Sequence, residues 1–181
     1  VLSGGNGNDL LDGSSGNDVI FGGEGDDTLH GGSGINSLYG NAGKDIIYGS
    51  WDSEQLQGGK GRDLLRGYEG NDSLFGGKDQ DLLIGDTGDD RFILSAKQGE
   101  EKKENADMIG DFSKFAKDEI FIIAAFRKDE IYYKSIDKYD GQDALPSEYV
   151  LEQWRSLTSL DSTAIVAPNG NILGVVFNVT D

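Results

Sequence analysis

The sequence predicts an all-β protein: a stack of short strands and glycine turns over the first half, closed by a mixed α/β region. Three observations predict this. Glycine stands at 4, 13, 22, 31, 40, 49, 58, 67, 76 and 85, ten times with a spacing of nine. Seven residues after each comes Leu, Ile or Phe: Leu11, Ile20, Leu29, Leu38, Ile47, Leu56, Leu65, Leu74, Leu83 and Phe92. Glycine then thins out, 23 of 28 lying before residue 94. A fixed short period is the signature of a repeat stack.

Each repeat position has a physical task. Glycine permits a left-handed backbone and lets carbonyls turn inward together. Position 4 is Gly in eight of ten repeats, and position 6 is Asp in eight of ten. Positions 7 to 9 suit a three-residue strand, in which position 8 faces one way and positions 7 and 9 the other. The aliphatics at position 8 then build a core. A Gly/Asp-rich flexible linker has no reason to keep ten aliphatics in phase with ten glycines. Val1, Leu2 and Ser3 fit positions 7 to 9 of a preceding repeat.

Composition sorts the function classes. The 181 residues carry 33 acids against 16 bases, a net charge of −17, which opposes nucleic-acid binding. There is no Cys and a single His, His30, so disulfides, thiolate sites and most His-based catalysis drop out. No apolar run reaches the roughly 20 residues of a membrane helix. The chain opens with neither Met nor a secretory leader and is expected to be a piece of a longer protein. Stacked acids repel unless cations neutralise them. Calcium wants six to eight oxygens, which carboxylates and loop carbonyls supply.

The pattern GGxGxDxUx, with U apolar, resembles the nonapeptide of bacterial RTX (repeats-in-toxin) proteins, the hemolysin-type calcium-binding repeat. The resemblance covers residues 1–93 and implies a parallel β-roll running from Gly4 to Ile93, with residues 94–181 as its cap. Each nonapeptide is half a turn, and ions sit between loops two repeats apart. Position 6 carboxylates bridge neighbouring ions, and carbonyls near positions 2 and 4 complete the shell. The implied side-chain ligands are Asp9, Asp27, Asp45, Asp63 and Asp81 on one edge, and Asp18, Asp72 and Asp90 on the other. The implied carbonyl donors are Gly5, Gly7, Gly23, Gly25, Asn41, Gly43, Gly59, Gly61, Gly77 and Asp79, with Gly16, Tyr68, Gly70, Asp86 and Gly88 on the second edge.

That geometry grades the sites. The first edge has Asp at all five rungs, so its four gaps should fill. The second carries Asn36, without charge, and Glu54, a methylene too long. Loop 49–54, GSWDSE, also exchanges its position 4 Gly for Asp52 and inserts Trp51. Only the Asp72–Asp90 gap is complete there. At least five ions are expected, and up to about eight; five divalent ions offset ten of the 17 negative charges.

Beyond residue 93, segment 95–106 reads as a charged loop. Residues 106–122 suggest short strands and resemble the D-x-I-x-D-F segment that follows RTX repeats, with Asp107, Ile109, Asp111 and Phe112 matching. Asn36, Asp107 and Asp111 are additional candidate ligands. A helix is expected over 146–157, starting at Pro146, and a hairpin from 163–167 to 172–179 around Asn169-Gly170. Terminal turns of a stack expose core and strand edges, so this half should cap the roll.

The resemblance implies a module that folds on calcium after type I secretion and stabilises the C-terminus of a larger extracellular protein. Sites of roughly 10⁻⁴–10⁻³ M affinity, typical of extracellular modules, stay empty in the cytosol. The implied partners are calcium, upstream domains and the secretion machinery. The alternative is a polysaccharide-binding or adhesion module, using the outward column Phe21, Tyr39, Gln57, Phe75 and Ile93, or Leu10, Thr28, Ile46, Leu64 and Leu82 on the other sheet. No motif points to an enzyme in this chain; His30 has only Thr28 and Tyr48 as expected neighbours.

Overall fold

The computed structural model describes residues 1–96, 107–110, 119–124, 132–136, 162–166 and 172–177. Over residues 1–96 successive strands alternate between two parallel sheets. One holds β1 (Leu2–Asn6), β3 (Val19–Glu24), β5 (Ser37–Ala42), β7 (Gln55–Lys60), β9 (Ser73–Lys78) and β11 (Arg91–Ala96). The other holds β2 (Leu10–Asp12), β4 (Thr28–His30), β6 (Ile46–Ser50), β8 (Leu64–Glu69) and β10 (Leu82–Thr87). Partners lie two repeats apart throughout, as in Ile20↔Leu38 and Leu29↔Ile47. This is the parallel β-roll that the resemblance to the RTX nonapeptide implies, and no helix occurs among the described residues of the repeat region.

Position 8 builds the core. From Ile20 to Phe92 every position 8 residue is fully buried, and the end residues Leu2 and Leu11 pack partly buried against them. Burying one such side chain is worth roughly 1.5–3 kcal/mol, so each half-turn brings its own increment, as expected for a stack held by nearest neighbours. Positions 7 and 9 face outward, where Phe21 and Tyr39 stack at 5.1 Å between ring centroids.

Most strands are longer than the three residues expected. Only β2 and β4 stop at position 9; β3, β5, β7, β8, β9 and β10 run six residues, through the glycines to position 3. The reason is that neighbours two repeats apart share the same left-handed bend. Gly23, Asn41, Gly59 and Gly77 therefore stay in register around the corner.

The C-terminal half extends both sheets. Strand β12 (Asp107–Ile109) adds to β10, pairing Leu82↔Met108 and Leu83↔Ile109. Strand β13 (Glu119–Ala124) adds to β11. Ser95 and Ala96 were expected in a loop; they are instead the end of β11, because Ile123 and Ala124 offer them a parallel partner. Strand β16 (Ile172–Phe177) lies beside β12, and β15 (Ser162–Val166) pairs antiparallel with β16. The sequence reading has no counterpart of β14 (Tyr132–Ile136), which pairs antiparallel with β15. Helix 146–157, the Asn169-Gly170 turn, Asp111 and Phe112 lie outside the described residues.

Leu56 is fully buried in mid-stack, whereas Gln57 faces outward. In calcium-saturated protein, Leu56→Ala is expected to cost about 2–5 kcal/mol in urea unfolding, from lost transfer energy plus a cavity. Gln57→Ala should stay within about 0.5 kcal/mol.

Candidate metal centres

Two ladders of hydrogen bonds link loops to the next loop on the same edge. In the first, a position 6 N–H donates to the Oδ1 of the next position 6 side chain. Asp9 donates to Asp27 at 2.8 Å, Asp27 to Asp45, Asp45 to Asp63 and Asp63 to Asp81, each at 2.9 Å. Asp107 takes the following rung, accepting from Asp81 N–H at 3.2 Å while only 5% exposed. On the second edge Asp18 donates to Asn36, Glu54 to Asp72 and Asp72 to Asp90.

The second ladder runs the other way, at position 5. Asp26 N–H donates to Asn8 Oδ1 and Lys44 N–H to Asp26 Oδ1; Asn17, Ser53 and Asn71 accept likewise. The sequence reading missed this ladder. Its signal was present as the small polar residues at position 5, which were passed over because the position looks variable.

The first ladder spends only one oxygen of each carboxylate. The Oδ2 atoms of Asp9, Asp27, Asp45, Asp63, Asp72 and Asp81 are buried and have no hydrogen-bond partner. The position 1 glycine explains how they fit. A Cβ on Gly22, Gly40, Gly58 or Gly67 would come within 3.0 Å both of Oδ2 in its own loop and of the glycine carbonyl two repeats on. These position 1 carbonyls of Gly40, Gly58, Gly76 and Gly85 are a second feature that the sequence reading missed. Here glycine is required by close approach. At positions 2 and 4 it is required by conformation: the fifteen expected carbonyl donors have φ between 67° and 142°, including the non-glycines Asn41, Tyr68, Asp79 and Asp86. Neither Ser50 nor Asp52, at those positions of loop 49–54, has positive φ.

Carboxylate and carbonyl oxygens brought together without donors form a set of hard ligands suited to calcium. Among the described residues no three acidic or imidazole side chains converge on one point.

Electrostatics shows the same need. Burial pushes the carboxyl of Asp45 up to about 6, and those of Asp63 and Asp72 up to about 7; a backbone N–H offsets part of this and neighbouring carboxylates add to it. Burial and the Asp107 charge hold Asp81 well above its ordinary value. A folded pKa raised above the unfolded one gives stability that is present in acid and lost as pH rises through the folded value. In chelator, β-structure measured by circular dichroism is therefore expected to grow as pH falls from about 8 to 5, protons replacing metal. A signal that shrinks on acidification would contradict this.

Four matches to the model of the RTX calcium-binding nonapeptide repeat cover residues 3–38, 21–53, 48–83 and 57–92. No individually characterised protein shows significant similarity to the chain. The matches span the loops whose ladders, left-handed positions and donor-poor carboxylates are described above. Residues 3–92 of this chain belong to the RTX calcium-binding nonapeptide-repeat family and form a calcium-binding module.

Proposed function

We propose that this module is a calcium-triggered folding switch, a polyanion where calcium is scarce and a closed β-roll where it is plentiful. The observation that carries the proposal is the row of buried Oδ2 atoms on Asp9, Asp27, Asp45, Asp63, Asp72 and Asp81. A buried polar group left unsatisfied costs about 1–3 kcal/mol, more if charged. Six together rival the roughly 5–15 kcal/mol of net stability that a domain has. A bound cation turns that cost into folding energy.

In this reading the ions lie between neighbouring loops of one edge. Position 6 carboxylates and the carbonyls of positions 2 and 4 hold them, with Gly5, Gly7, Gly23 and Gly25 serving the Asp9–Asp27 gap. The four gaps from Asp9 to Asp81 and the Asp72–Asp90 gap account for at least five ions. Asp107 stands one rung beyond Asp81 and is a candidate for a further one. Residues 94–181 act as the cap, since β12 and β13 cover the last strands of both sheets.

RTX-repeat proteins are generally secreted. Export by type I secretion of an unfolded chain, followed by folding in extracellular calcium, fits a fold that needs metal to form. Its role would be to stabilise the C-terminus of a larger extracellular protein. Polysaccharide binding is less well supported. Phe21 and Tyr39 stack nearly parallel, 15° apart, which spends ring faces that a sugar would need.

Circular dichroism with chelator and then millimolar calcium tests the switch at neutral pH. Calcium is expected to bring a β-rich spectrum out of a disordered one, and a β-rich signal indifferent to chelator would refute the proposal. Asp63→Ala, in mid-edge, should raise the calcium concentration for half-folding about tenfold or more, equivalent to about 1.4 kcal/mol. Glu24→Ala, at an exposed position 3, should leave it unchanged.

A further inference from the structure

Two consecutive loops of the second edge satisfy their own position 6 side chains. Asn36, 1% exposed, keeps its place in the ladder, Oδ1 accepting the Asp18 N–H at 2.9 Å. Its Nδ2 turns into its own loop and donates to the carbonyls of Gly32 at 3.2 Å and Gly34 at 2.6 Å. These are positions 2 and 4. Nδ2 also lies against the position 1 glycine, Gly31, as the unpartnered Oδ2 of Asp27 or Asp45 lies against Gly22 or Gly40. An N–H donor thus occupies the place where neighbouring loops present a carboxylate oxygen.

The next loop reaches the same end differently. Glu54 Oε2 accepts Ser50 N–H at 2.8 Å, and Oε1 accepts Ser50 Oγ–H at 2.9 Å. The extra methylene carries the carboxylate back onto position 2 of its own loop. The two loops remain joined, Asp52 Oδ2 accepting Gly34 N–H at 2.9 Å.

We infer that loops 31–36 and 49–54 form a metal-free clasp, in which the Asn36 amide nitrogen stands in for a calcium ion at the carbonyls of Gly32 and Gly34. An ion entering that loop would have to displace the amide and set its N–H groups against a positive charge. Both changes are unfavourable, since a buried donor without a partner costs free energy. The roll continues through this stretch on protein hydrogen bonds alone, with calcium on the first edge and at the Asp72 end of the second.

This inference rests on the calcium reading, and ion counting by native mass spectrometry in excess calcium separates the two. Wild-type protein that holds no calcium would refute that reading itself. With calcium bound, Asn36→Asp is expected to hold at least one ion more than wild type, because its second oxygen replaces a donor with a ligand. Asn36→Ala is expected to hold the same number as wild type. An unchanged count in Asn36→Asp would overturn the clasp. So would loss of an ion in Asn36→Ala, which would make the Asn36 side chain a ligand already. Should Asn36→Asp not fold, the count in Asn36→Ala decides alone.

Discussion

The structure depends on how the position 6 side chains of Asp27, Asp45, Asp63, Asp72 and Asp81 divide their two oxygens. Oδ1 accepts a backbone N–H from the preceding loop of the same edge, at 2.8 Å for Asp27 and 2.9 Å for Asp45. This fixes the stacking distance and register. Oδ2 is buried beside carbonyl oxygens and receives no donor. A protein interior tolerates few such atoms, and here they recur along the stack. The same side chain therefore sets the geometry of the roll and leaves a buried oxygen that a cation would satisfy.

The other repeat positions follow from that division. The position 1 glycines leave room for Oδ2, since a Cβ there would collide with it. Left-handed residues at positions 2 and 4 turn the chain at each edge while neighbouring strands stay in register. The aliphatic column at position 8 fills the space between the sheets and holds the turns together from inside. The apolar column and the carboxylate rungs thus lie on different parts of the same half-turn. The core is continuous from Ile20 to Phe92 and β12 extends it to Ile109.

The edges differ because two side chains departed from the rule in different ways. Asn36 has the right length and the wrong charge, and it keeps the ladder bond while filling its loop with a donor. Glu54 has the right charge and the wrong length, and it folds back onto Ser50. The sequence marks both as departures from aspartate. It does not show which partners each side chain takes in its own loop, because that depends on which way an amide faces and where a carboxylate lands.

Period, phase and residue type were enough to determine a stack of short strands over an aliphatic core; the β-roll and the assignment of each aspartate to an edge came with the resemblance to the RTX nonapeptide. Asp107 was legible as a candidate only by resemblance; its place as the rung after Asp81, off the nine-residue period, required the pairing of β12 with β10. The six-residue strands, the reverse ladder at position 5 and the continuation of β11 to Ala96 were likewise decided in three dimensions. Each depends on a neighbour that sequence order does not supply: a second loop with the same bend, a backbone N–H two repeats away, or a partner strand from the other half of the chain.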